Sequence, residues 1–165
     1  MEPYYHARPW STALAGKRVL VVHPFRRTIL AQYEKRTQLF PGKDVLPELA
    51  SLTVIQAVQG LGGQDTGYAD WFDALTEMER RMDAADYDVA IVGAGAYSLP
   101  LAAHARDTGH AAIQMSGATQ LLFGIKGKRW DDHPVISKLY NPAWVRPDET
   151  EGISNKEKVE GGSYW

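Results

Sequence analysis

The sequence predicts an α/β fold: a Rossmann-like three-layer α/β/α domain on a parallel sheet of four or more strands. Three observations predict it. Short, largely apolar runs recur, clearest at residues 17–23 (KRVLVVH) and 88–92 (DVAIV). Segments of helical periodicity lie between them. Small-residue turns follow strands directly, at Gly93-Ala94-Gly95-Ala96 and Ser116-Gly117-Ala118. Strands that alternate with helices imply parallel pairing, right-handed crossovers and helices on both faces.

Residues 1–16 form an irregular arm with Tyr4, Tyr5, His6 and Trp10. Residues 17–23 are the first strand, a β-branched run suited to burial on both faces. Pro24 fits the first position of a helix, predicted over 25–39 and closed by Pro41-Gly42. Residues 52–58 are the second strand, and 60–67 (GLGGQDTG) a flexible loop. Asp70 can cap a helix on which Trp71, Leu75, Met78 and Met82 recur at helical spacing. The third strand is 88–92, followed by a helix over 99–107 with Gly109 as its stop. Residues 111–115 are the fourth strand and 119–125 a short helix. Residues 131–165, rich in Pro, Asn, Asp and Gly, form an irregular segment that lies over the sheet or is partly disordered. All of 1–165 reads as one domain, with the first and third strands central.

Composition narrows the function. Apolar residues make up 44% and charged residues 23%, as in an ordinary soluble domain. A net charge of −2 gives no field to recruit nucleic acid or an anionic membrane. The chain has no cysteine, which excludes disulfides, thiolate metal sites and a cysteine nucleophile. No apolar run approaches the roughly 20 residues of a membrane span, and residues 1–14 hold no signal-peptide core. A cytoplasmic location is expected.

Ligands of doubly wound sheets bind outside the carboxyl ends of the strands, where the chain reverses its order of travel. Four turns fall on that edge: His23-Pro24-Phe25-Arg26, Gln59-Gly60, the turn holding Gly93, Gly95, Ala96 and Tyr97, and the turn holding Ser116, Gly117, Thr119 and Gln120. Small residues there let backbone N–H groups approach a ligand, and helix N-termini favour anions. A phosphate-bearing small molecule is the expected partner. The glycines read either as a tight turn alone or as a cradle for phosphate or sugar. They form only part of a dinucleotide fingerprint, since Ser98 takes the third glycine position and Gln114, not an acid, ends the next strand.

His23 reads as a capped structural histidine, a hydrogen-bonder to ligand, or a catalytic base. Arg26 and Arg27 oppose the dipole of the helix they open, so an anion could favour them there; a solvated pair is the plain alternative. Lys126, Lys128 and Arg129 read as a surface loop or as a clamp on a diphosphate. Asp131-Asp132-His133 could hold a divalent metal, although adjacent acids are commonly just solvated. No metal ligand is assigned and the cofactor stays open.

Three strings carry a resemblance. Residues 16–25 (GKRVLVVHPF), 88–102 (DVAIVGAGAYSLPLA) and 117–130 (GATQLLFGIKGKRW) resemble an uncharacterised bacterial family found in surface-polysaccharide biosynthesis contexts. Through the strand and turn at 88–95, that family is distantly similar to glycosyltransferases of the GT-D fold type. The resemblance implies a nucleotide-sugar donor held by the turns at 93–97 and 116–120, with Lys126, Lys128 and Arg129 on its diphosphate. Members of the family are longer, and the chain reads as the C-terminal part of such a domain. Where GT-D enzymes carry Asp-x-Glu, this chain has Ser116-Gly-Ala-Thr-Gln120.

The leading expectation is therefore a glycosyltransferase-like protein. The alternative is a non-catalytic binding or assembly module, with a nicotinamide-dependent oxidoreductase behind both. The aromatic arm, together with Tyr140, Trp144, Tyr164 and Trp165, points to a homodimer or partner protein, or to a chain that folds back on itself.

Overall fold

The computed structural model describes residues 2–165; Met1 of the N-terminal arm lies outside them. Four strands form one all-parallel sheet in the order β2-β1-β3-β4. They are β1 (Arg18–His23), β2 (Ser51–Gln56), β3 (Val89–Val92) and β4 (Ala111–Gln114). β1 runs beside β2 from Arg18 against Ser51 to His23 against Gln56, and beside β3 from Val19 against Val89 to Val22 against Val92. The first and third strands are thus the central pair. At their amino ends the Arg18 guanidinium pairs with Asp86 and Asp88, and holds the Asp88 carboxyl down to about 2.

The period of two along each strand sorts side chains into two cores. Val19, Val21 and Ile91 pack with Ile29 of α1 (Arg26–Tyr33) and with Leu121 and Leu122 of α5 (Ala118–Leu122). Leu20, Val22, Ala90 and Val92 pack on the other side with Ala74, Met78 and Met82 of α3 (Trp71–Asp83) and with Leu101 and Ala105 of α4 (Ser98–Asp107). The result is helix, sheet, helix in three layers. Asp70 caps α3 as expected, its carboxylate accepting the Asp73 N–H at 2.9 Å.

Three details differ from the sequence reading. The helix expected over 25–39 is two: α1 ends at Tyr33, and α2 (Arg36–Leu39) follows a turn at Glu34-Lys35. The last turn of α1 is tied to separate segments. Gln32 donates its amide to the carbonyls of Gly124 (3.2 Å) and Ala143 (2.9 Å), and the Tyr33 hydroxyl accepts the Leu49 N–H (2.8 Å). Pro24 lies in the bend before the helix, and Phe25 is the N-cap. Trp71, expected on the core stripe of α3, is instead exposed at its first position and stacks on Tyr97 at 5.0 Å.

Both terminal segments pack on the α1/α5 face. Tyr4, Leu14, Ile136 and Trp144 are buried there, Tyr4 stacked on Phe40 and the Trp144 indole donating to the Leu39 carbonyl at 2.9 Å. Tyr140, Tyr164 and Trp165 are half-buried against the same core. The aromatic groups that raised the prospect of a partner are thus largely covered by their own domain. Among the described residues no helix is long and apolar enough to cross a membrane.

Candidate functional site at the carboxyl edge of the sheet

β1 and β3 lie side by side, and the chain leaves them toward opposite faces: from β1 into α1, from β3 into α4. In doubly wound sheets ligands bind at the carboxyl ends of such a diverging pair. His23, the last residue of β1, is buried, and the Phe25 N–H donates to its Nδ1 at 3.1 Å. Desolvation holds the ring down to about 3, so it is neutral at pH 7. With its Nδ1 lone pair engaged, the proton sits on Nε2, and the ring presents a donor rather than a free lone pair.

The turn after β3 divides into a packed part and an open part. Gly93 is packed: a Cβ there would stand 2.4 Å from Thr119 Oγ1 and 2.7 Å from the Ser116 carbonyl. Its glycine lets this turn meet the turn after β4. Gly95 and Ala96 are exposed. Gly95 has φ +57°, and no atom lies within 4 Å of where its Cβ would be. Ser98, in the third glycine position, is buried and accepts the Ala94 N–H at 2.7 Å, which ties the turn to the start of α4. Tyr97 is buried under Trp71.

The turn after β4 is similar. Ser116 is exposed with φ +48°, its hydroxyl accepting from the Gln114 amide at 2.9 Å. Thr119 and Gln120 are buried. Gln120 Nε2 lies 3.2 Å from the carbonyls of both Lys126 and Tyr164, so it ties the loop and the C-terminal segment together. Thr119 Oγ1 is buried without a hydrogen-bond partner. A Cβ on Gly117 would touch Trp130 and Tyr164 at 3.5 Å.

The basic residues lie on this rim, but the chain itself engages them. Arg129 pairs with Glu160 and lies 4.4 Å over the Tyr164 ring. Lys128 Nζ donates to the Gly161 carbonyl at 3.1 Å. Lys126 Nζ lies 5.2 Å over the Tyr140 ring. Arg26 donates Nε–H to the Val54 carbonyl at 2.9 Å.

One residue that sequence reasoning missed sits at the centre. Glu151 is buried with its carboxylate on the first turn of α1, where it accepts the N–H groups of Arg27 and Thr28 and the Thr28 hydroxyl. This is the anion that the arginine-led helix start lacked. No local signal in the sequence marks a cap supplied from so far along the chain. Beside it, an open pocket of about 290 Å³ is lined by Gln56, Gln59, Asp65, Arg81 and residues 150–153.

Two residues of the string Asp131-Asp132-His133 are otherwise engaged. Asp131 takes both its oxygens to Arg146, and His133 Nδ1 accepts the N–H of Ile136 at 3.2 Å. Among the described residues, no group of three His, Asp or Glu side chains is placed to hold a metal ion. Comparison with protein-family models, with curated proteins and with solved structures finds no match.

Proposed function

We propose that this chain binds a phosphate-bearing small molecule, of the nucleotide-sugar class, at the carboxyl edge of its sheet, as a glycosyltransferase-like protein of polysaccharide biosynthesis. The observation that carries the reading is the exposed turn at Gly95 and Ala96. It follows β3 at the carboxyl edge, with no atom within 4 Å of the Gly95 Cβ position, at the start of α4, whose first-turn N–H groups favour negative charge. Ser116 completes the rim from β4, and Lys128 and Arg129 supply cations suited to a leaving diphosphate. His23 contributes its Nε2–H as a donor.

The test is calorimetry of the folded protein against a panel of nucleotide sugars and free nucleotides. Saturable binding of at least one supports the reading; none, in a sample with native circular dichroism, contradicts it. A second reading, a binding or assembly module without catalysis, is favoured by the engaged lone pair of His23. It predicts binding of a nucleotide sugar with no release of nucleoside diphosphate when acceptors are added.

A further inference from the structure

The donors on the carboxyl rim are held by one segment, residues 148–165. Glu151 gives its carboxylate to the first turn of α1, and the Thr28 hydroxyl also accepts the Asp148 N–H at 2.9 Å. Glu160 gives its carboxylate to Arg129. The carbonyls of Gly161 and Tyr164 accept from Lys128 Nζ and Gln120 Nε2. The backbone N–H groups of Lys128 and Arg129 both donate, at 3.1 Å, to the carbonyls of Trp165 and Ser163. Trp165 closes the row, its ring 6.2 Å from Phe25 at the start of α1. Two carboxylates and a set of carbonyls thus occupy one helix N-terminus and two cations, the groups a phosphate ligand would use.

The segment has little hold of its own. It is a chain of three-residue turns around Glu149–Glu151, Lys156–Lys158 and Glu160–Gly162, with left-handed backbone at Asn155, Glu160 and Gly161. Most of its residues from 154 to 161 are exposed. Trp165 Nε1, on the segment itself, is buried without a hydrogen-bond partner. Native interiors carry few such atoms. Residues 150–153 line one side of the open pocket of about 290 Å³.

We infer that residues 148–165 are a strap that closes the carboxyl edge as an internal stand-in for an anionic ligand, with Glu151 and Glu160 in the places of phosphate charge. The strap holds Lys128 and Arg129, the cations of the site proposed above, and rests on that reading. A ligand phosphate competes with the two carboxylates, so the site's apparent affinity is lowered by the fraction of molecules that are closed. Binding lifts the segment and frees Arg129, Lys128 and the first turn of α1.

The test uses the full chain and inorganic pyrophosphate as the probe, with wild type, Glu151→Gln and Glu160→Gln. Glu160 is exposed, so its variant leaves the fold intact. Calorimetry gives affinity, and hydrogen exchange gives protection of residues 152–165. Both variants are expected to bind pyrophosphate about tenfold more tightly than wild type. In all three proteins, saturating pyrophosphate should remove protection from the strap. If pyrophosphate binds all three equally and the strap stays protected, the strap inference is overturned while the phosphate reading stands. If none of the three binds it at millimolar concentration, the strap inference falls, and the nucleotide-sugar panel alone decides the proposed function.

Discussion

Glu151 lies 123 residues from Thr28 in the chain and directly on it in the fold: its Oε2 accepts both the Thr28 N–H at 3.0 Å and the Thr28 hydroxyl at 2.6 Å. The contact joins the last segment of the protein to the first helix. It also answers the charge of a helix that opens on Arg26 and Arg27.

Glu151→Ala removes that cap and leaves two N–H groups and a hydroxyl at the α1 start without their partner. The expected loss is about 2 kcal/mol, the scale of a lost N-cap strengthened by partial burial. Urea unfolding reads it as a lower midpoint at unchanged slope. A loss below about 0.5 kcal/mol would mean that water replaces the carboxylate at no cost.

His23 makes stability depend on pH. Its folded value, about 3, lies below the ordinary 6.5, so the unfolded chain binds the extra proton first. Stability is therefore full above about pH 6.5 and falls as pH drops toward 3. Asp88, held near 2 by Arg18, and Glu77, held near 2 by Arg80 and Arg81, add losses of the same sign that begin at about pH 5, as the unfolded carboxylates start to protonate. His23→Asn keeps an acceptor for the Phe25 N–H and does not titrate. Thermal melts from about pH 7 to about pH 5 should fall steadily for wild type and stay nearly flat for the variant. Parallel curves would remove His23 as the cause.

The two glycines of the turn after β3 should respond oppositely. Gly93→Ala forces a methyl against the Ser116 carbonyl and the Thr119 side chain, a clash with backbone that costs about 1–3 kcal/mol. Gly95→Ala meets open space and carries only the left-handed backbone penalty, about 1 kcal/mol. Melting temperatures rank them. The ligand test runs the other way: Gly95→Val should fold yet lose affinity for a nucleotide sugar, because a branched side chain would fill the open turn. Unchanged affinity per folded molecule would move the site elsewhere.

The sheet was legible in the sequence because its strands are apolar runs whose period of two sends Val19 and Val21 to one face and Leu20 and Val22 to the other. The carboxyl edge was legible for the same reason, since strand ends determine turn positions. What stayed hidden depends on contacts distant in sequence. The break between α1 and α2 coincides with side-chain bonds from Gln32 and Tyr33 to residues 49, 124 and 143. The α1 cap comes from Glu151, in a stretch with no periodicity. Trp71 carries the spacing of a core residue but stands at the first position of its helix, exposed and stacked on Tyr97. The basic string at Lys126, Lys128 and Arg129 looked the same whether it held a ligand or the chain's own carboxylate.

The central claim is that the carboxyl edge holds the ligand. Amide chemical-shift mapping of the full chain, titrated with uridine diphosphate as a representative nucleoside diphosphate, tests it most directly. The largest changes should fall on residues 93–97 and 116–120, with the first turn of α1 responding as the strap moves. Saturable changes confined to another surface, such as the cavity of about 390 Å³ lined by Arg36, Lys43 and Glu48 near the amino end of β2, or no change at millimolar ligand, would contradict it.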